Sequence, residues 1–404
     1  MKLANTHLSY CTNIHGGESW ADHFYQLKTS VPTIKKTVAP DQSFGLGLRL
    51  SAQAVAELST PAVLNEFMSW LDDHDLYVFT LNGFPYGDFH LKAVKDKVHY
   101  PDWTSTARLD YTKKLVDVLA LLLKEDCPGG ISTSPLSYRY WFAENSTEWV
   151  QMREKSTDHV IQIADYLYQK ENQTDRYIHL DIEPEPDGVL EDGREFIDWY
   201  QKELLEQAYR YFERNYGFDQ ARTLSLMNRY ICICYDVCHF ALEFENHQEI
   251  IAELTSLGIQ IGKFQISSAL KISLSDNMAD RMDKKLILQE FDEPIYLHQV
   301  IAKTTGGGLT KYRDLSEALA DIQQVDHIEW RSHFHVPIFL ENYGVISSTQ
   351  SDIIDVLNLQ NDQPRTNHIE VETYTWNVLP KALQIPIENS ISREINWLLD
   401  HLKK

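Results

Sequence analysis

Three carboxylates in this chain stand where a strand-like segment gives out. Glu183 closes Tyr177–Glu183, Asp236 closes Ile231–Asp236, and Glu372 lies near the end of His368–Trp376. Side chains two apart on a strand share a face. In the first segment Ile178, Leu180 and Ile182 therefore make an apolar face suited to covering helices, while His179, Asp181 and Glu183 point the other way. In the second, Cys232, Cys234 and Asp236 oppose Ile231, Ile233 and Tyr235; in the third, Glu370 and Glu372 alternate with Val371 and Thr373. Inward carboxylates are costly to bury without a cation, so several together call for a metal or a basic partner. A single strand-end carboxylate is more often a helix cap or an ion-pair partner; three with histidines nearby favour a site. Cys232 and Cys234 are adjacent same-face positions and read as a small-residue core layer rather than as thiolate ligands.

The elements that must carry these residues alternate. Candidate strands His7–Thr12, Phe44–Leu50, Leu76–Asn82, Gly130–Pro135, Tyr177–Glu183, Ile231–Asp236, Ile259–Ser267, His333–Phe339 and His368–Trp376 are interleaved with helical patterns. The clearest helices begin at Ser146 and cover Thr106–Leu123, Glu195–Tyr216 (stopped by Gly217) and Asp314–Val325. Such an order predicts parallel βαβ units and a single (β/α)8 barrel over residues 1–404, whose active site belongs at the C-terminal strand ends. Nine strand candidates exceed eight. The stretch of roughly 268–330 reads as an insertion before the last strands, without enough consecutive apolar residues for a core of its own.

Composition narrows the partners. With 37 basic and 59 acidic side chains the formal net charge is −22, which repels nucleic acid, and no basic patch offsets it. No run approaches the apolar length of a membrane span. The N-terminal stretch carries no secretion signal, and five cysteines suit a reducing cytoplasm. A small-molecule metabolite is the expected partner; oligomeric state is open.

Several of these residues carry a resemblance. Ile182-Glu183-Pro184 resembles the strand-five Glu-Pro of xylose-isomerase-like sugar isomerases and epimerases, Tyr235-Asp236-Val237-Cys238-His239 their strand-six Asp-x-x-His, and Val371-Glu372-Thr373 their strand-eight glutamate. The runs from His7 to His15, Asn82 to Gly87, His333 to Pro337 and Glu370 to Trp376 resemble the EboE family, barrels of that kind named for proposed metabolite traffic. The resemblance implies one divalent ion (Mn, Mg, Co or Zn) bound by Glu183, Asp236 and Glu372, with Glu183 and Glu372 as an acid/base pair and His239 touching substrate. Such an ion would polarise the hydroxyl and carbonyl oxygens of a sugar-like or polyol substrate. The family's strand-seven histidine is absent: Lys263 stands in its place in Lys263-Phe264-Gln265-Ile266. His333-Phe334-His335-Val336 resembles the His-x-His-Val of ketose epimerases and makes His335 the fourth ligand. Either His333–Phe339 is strand seven and Ile259–Ser267 is extra, or the reverse holds and the histidine segment folds over the mouth. Further candidates for the substrate site are Arg49, Asn82, Tyr86, His90, His333, Glu185 and Lys263. The expected activity is metal-dependent isomerisation or epimerisation. The alternatives are a barrel that binds or hands on a metabolite without turnover, and an endonuclease-IV-like phosphodiesterase, which the charge disfavours.

Overall fold

The computed structural model describes residues 1–87, 94–381 and 384–402; the candidate His90 lies outside them. Eight parallel strands, β1 (Thr6–Tyr10), β2 (Phe44–Arg49), β3 (Leu76–Asn82), β4 (Gly129–Thr133), β5 (Ile178–Ile182), β6 (Ile231–Asp236), β7 (Ile261–Ile266) and β8 (His368–Val371), form one sheet. Their order is β1–β8–β7–β6–β5–β4–β3–β2, and the short strand Lys2–Leu3 pairs antiparallel with β1 as a ninth. The sheet curls until its ends nearly meet. At the seam a Cys11–Gly47 bridge and side-chain hydroxyls stand in for a regular ladder. Ser9 Oγ donates to the Gly45 carbonyl at 2.9 Å and accepts from Gly47 N at 2.8 Å; Thr12 Oγ1 accepts from Arg49 N at 2.9 Å. The chain is an α/β barrel. No helix among the described residues is long and apolar enough to cross a membrane.

The expected helices form for the expected reasons. Ser146 Oγ accepts from Trp149 N and starts Thr147–Thr174. The helical stretch from Gly193 to Tyr216 contains a wider π turn at Tyr200–Leu204 and ends at Gly217, whose φ of 67° needs no Cβ. Only Leu315–Ala320 of the expected Asp314–Val325 helix forms. The Arg281 guanidinium takes the Ile322 and Gln324 carbonyls at 3.1 and 2.8 Å, diverting the chain.

The surplus strand is resolved in favour of Ile261–Ile266 as the barrel's seventh. His333–Phe339 is not a strand, because its backbone reaches the barrel through little more than Val336 N to the Ser268 carbonyl. It leaves the end of His327–Ser332 and crosses the mouth. The last barrel strand also stops early, at Val371, where Tyr374–Val378 turns into a 3-10 helix.

The insertion is more ordered than its sequence suggests. It reaches past residue 330 to Ser348 as a six-stranded antiparallel sheet in the order Leu309–Tyr312, Val300–Thr304, His327–Ser332, Leu270–Ser273, Ile346–Ser348, Asn342–Tyr343. Its buried side chains (Leu270, Ile272, Val300, Ala302, Trp330) come from alternation within strands, so no long apolar run is needed. Lys311 on this sheet ties it to the barrel by ion pairs of 2.8 Å with both Glu191 and Glu243.

Candidate active site

The eight strand ends gather polar side chains in layers. In the lower layer Lys263 Nζ contacts Glu370 Oε2 at 2.5 Å and Ser132 Oγ at 3.1 Å, all fully buried. Gly47 makes room for Glu370, since a Cβ there would come within 1.5 Å of Oε1. Lys263 is thus committed below the mouth and does not line the cavity above, contrary to its expected substrate role. One pleat higher, at the C-terminal mouth, the strand-seven position belongs to Gln265.

That glutamine joins the carboxylates. Its Nε2 donates to Glu183 Oε1 at 2.8 Å, Asp236 Oδ2 at 3.0 Å and Glu372 Oε2 at 2.5 Å. Glu183, Asp236 and Glu372 offer oxygens all within 4.8 Å of one another, and Asp236, His239 and His335 form a second such group. The three carboxylates expected to hold a metal therefore meet at one end of the barrel, and His335 lies beside Asp236 there. Each is positioned by backbone: Glu183 N donates to the Thr133 carbonyl and Glu372 N to the Ile266 carbonyl, both at 3.0 Å. Asp236 also caps the helix Val237–Leu242, accepting from Cys238 N and His239 N. The cap reading is realised, and the other oxygen of the same carboxylate stays turned toward Gln265.

The histidines crossing the mouth have assignable tautomers. His335 Nδ1 faces the Glu372 carbonyl at 3.0 Å, which only accepts, so Nδ1 carries the proton. Its Nε2 is left as a buried lone pair, and Glu183 Oε2 is likewise without a partner. His239 Nδ1 donates to the Pro184 carbonyl at 2.9 Å, and its Nε2 meets His333 Nε2 at 3.2 Å. Gln299 Nε2 donates to the Pro186 carbonyl, turning its Oε1 toward His333 Nδ1 at 2.8 Å. His333 is therefore a neutral acceptor and His239 the charged donor. Burial opposes charge on His239, but Asp236, Glu183 and Glu185 outweigh it and raise its pKa. Burial and the neighbouring imidazoles hold His333 well below the ordinary range.

The cavity above these groups is lined by Asn82, Glu183, Glu185, His239, His333 and Glu372 from the expected set. Asn82 Nδ2 donates to Glu372 Oε1 at 3.3 Å, and Glu185 Oε1 pairs with His99 Nε2 at 2.9 Å. Besides Lys263, two candidates fall elsewhere. Arg49 spends its guanidinium on the Gly17 and Gly87 carbonyls, clasping loops at the seam. Tyr86 packs edge-on against Tyr111, with the Arg108 guanidinium over its ring. Neither lines the cavity, because each is engaged by the wall behind it. Asn13, whose Nδ2 donates to Glu372 Oε1 at 2.6 Å, and Gln265, His99 and Tyr374 are functional candidates that sequence reasoning missed. Parity does place Gln265 inward, two residues after Lys263.

Electrostatics separate the carboxyls. Burial, with Asp236 alongside but His239 opposing, pushes Glu183 up to about 8, and burial together with Glu183 and Asp236 raises Glu372 well above the ordinary carboxylate range. Asp236 is held low despite its burial, by His239, His335 and the Ser267 hydroxyl. Burial lowers His335 from 6.5 to about 4. A raised carboxyl pKa contributes stability that is full below about 4.5 and is lost as pH rises through about 8. A lowered histidine contributes in the opposite sense, and only below about 6.5. Metal-free protein should therefore lose stability between about pH 6.5 and 8, and Glu183→Gln should flatten that decline. Urea midpoints across the range test it; an unchanged slope in the variant refutes the assignment.

No protein-family model matches the chain, and no curated protein matches it. Among solved structures the chain is similar to the probable 3-DHS dehydratase AsbF from Bacillus anthracis (11% identity, 98% of this chain and 99% of that chain, TM-score 0.44). It is also similar to an IolI protein with a bound zinc atom (13%, 98% of each chain, TM-score 0.47) and to a D-psicose 3-epimerase crystallised with D-fructose (11%, 98% of each chain, TM-score 0.46).

Proposed function

We propose that this barrel is a cytoplasmic, divalent-metal-dependent isomerase or epimerase of the xylose-isomerase-like kind, acting on a sugar-like or polyol metabolite. One observation carries it: Glu183 and Glu372, from strands separated by two others, reach the same point at the C-terminal mouth together with Asp236. The donor set fits a divalent ion. Three carboxylates converge, His335 lies beside Asp236 with its Nε2 bare, and Glu183 Oε2 is buried without a partner, a state a cation would relieve. Gln265 Nε2 meanwhile supplies the partial positive charge the carboxylates call for. When bound, the ion would polarise vicinal hydroxyl and carbonyl oxygens of the substrate.

The chain's own residues supply the proton chemistry. Burial raises the pKa of both Glu183 and Glu372 above the ordinary carboxylate range, which makes each a stronger base for taking a proton from a substrate carbon and returning it. Asp236, kept ionised, serves as a fixed anion. His239, its pKa raised by the surrounding carboxylates, sets a positive charge in the cavity wall beside the substrate, and Asn82 and Asn13 orient Glu372. The expected result is exchange of a substrate C–H with solvent deuterium. Metal-loaded protein would be incubated in D2O with a panel of ketoses and polyol ketones and read by mass spectrometry. Exchange that vanishes in Glu372→Gln with metal retained supports catalysis.

A second reading, binding or traffic of a biosynthetic intermediate without turnover, fits the EboE resemblance and the Gln265 amide seated amid the ligand oxygens. Tight binding of a panel member without exchange would decide for it.

A further inference from the structure

The opposite end of the barrel holds a second polar constellation that the mouth chemistry does not use. His179 and Asp181 of β5, Cys232 of β6 and His368 of β8 point inward near the strand starts, all at most 5% exposed. Beneath them a cavity of about 150 Å³ opens between the segments leading into β4 through β8, reached by His179, Cys232 and His368. His179, Asp181 and Cys232 offer ligand atoms all within 4.8 Å of one another.

The hydrogen bonding leaves bare lone pairs at this end of the barrel. His368 Nε2 lies 3.1 Å from the Pro128 carbonyl, which only accepts, so that nitrogen carries the proton and Nδ1 is bare. His368 Nδ1 has no partner, and neither has Asp181 Oδ2. The two converge. The point where a Cβ on Gly130 would sit is 3.0 Å from His368 Nδ1 and 2.9 Å from Asp181 Oδ2. His179 Nδ1 bonds Asp181 Oδ1 at 2.5 Å, which leaves its Nε2 as the free ligand atom. Gly262 keeps the other side open, since a Cβ there would fall 1.9 Å from Asp181 Oδ1. Two glycines thus clear space around two buried acceptors that repel each other unless something positive stands nearby.

We propose that His179, Asp181, Cys232 and His368 form a structural zinc-type site at the N-terminal end of the barrel. A water donating to both lone pairs would satisfy Asp181 and His368, but it gives no part to Cys232, whose thiol has only a long 3.9 Å contact with the Arg229 carbonyl. Two imidazoles, a carboxylate and a thiolate are the ligand types of a four-coordinate borderline ion, and their two negative charges neutralise it. Cys232 releases its thiol proton to solvent on ligation. The bottom of such a barrel serves stability rather than chemistry, so the ion would staple β5, β6 and β8. The site is independent of the proposed mouth activity.

Cobalt(II) titration of the metal-stripped full chain tests it. A near-ultraviolet thiolate-to-cobalt charge-transfer band should rise with one equivalent, vanish in Cys232→Ser and persist in Cys238→Ser, which removes the thiol near the mouth histidines. Absence of the band, or its survival in Cys232→Ser, overturns the proposal. Should Cys232→Ser fail to fold, zinc-soaked crystals of the native chain decide. Anomalous density among His179, Asp181 and Cys232 upholds the site, and density only at the mouth, or a water in its place, overturns it.

Discussion

Lys263→Met is expected to destabilise the protein by about 3–5 kcal/mol, because it strands a carboxylate inside the barrel. Lys263 and Glu370 are both fully buried, with 2.5 Å between Nζ and Oε2. Burial alone would discharge the lysine, but Glu370 overrides it and holds the ammonium form well above its ordinary range. Glu370 Oε1 has no other partner, and the ring of strands closes out water. The pair itself contributes little net stability, since desolvation offsets most of its Coulomb attraction; removing one partner is what costs. The double variant Lys263→Met with Glu370→Gln should therefore recover most of the loss. Chemical denaturation of the three proteins measures it. A single-variant loss below about 1 kcal/mol, or a double variant no better than the single, would show that the pair does not govern the barrel interior.

Asp236→Asn is expected to weaken manganese binding at the mouth about a hundredfold or more while the fold persists. The swap is nearly isosteric, and asparagine serves as well at a helix N-cap, so contacts from Cys238 N and His239 N survive. What disappears is a carboxyl whose pKa the site holds below its ordinary range. Manganese is the appropriate probe because a thiolate-containing site at the other end is too soft to compete for it. Isothermal titration on metal-stripped protein gives the comparison, with thermal unfolding confirming the fold. Unchanged stoichiometry and affinity would remove Asp236 from the ligand set and with it the metal-dependent reading.

The strands and their parity were legible because burial imposes a period of two on each strand. Ile178, Leu180 and Ile182 against His179, Asp181 and Glu183 is such a pattern, and the structure buries both sets on the faces expected. Alternating strands and helices, with capping serines and a stopping glycine, were enough for a barrel. They also put the three carboxylates at its C-terminal end, since direction along a parallel strand follows the chain. The role of Lys263 was not legible. Lysine at an inward position reads alike whether it meets substrate or a buried partner, and only the folded interior that brings the Glu370 carboxylate to its Nζ, with Gly47 vacating the space, decides. Gln265 escaped notice for a similar reason, as an amide becomes central only when three strands bring carboxylates to it. The inserted sheet was hidden because its core is shared between strands distant in sequence, each contributing two or three apolar residues. Sequence by itself determined the alternation, the inward faces and the end at which chemistry gathers, all of them local periodicities read along the chain. Tertiary structure alone decided which inward polar groups neutralise one another, which remain unpaired, and that His335 arrives from a loop over the mouth, because those depend on distances between segments that covalent spacing does not constrain.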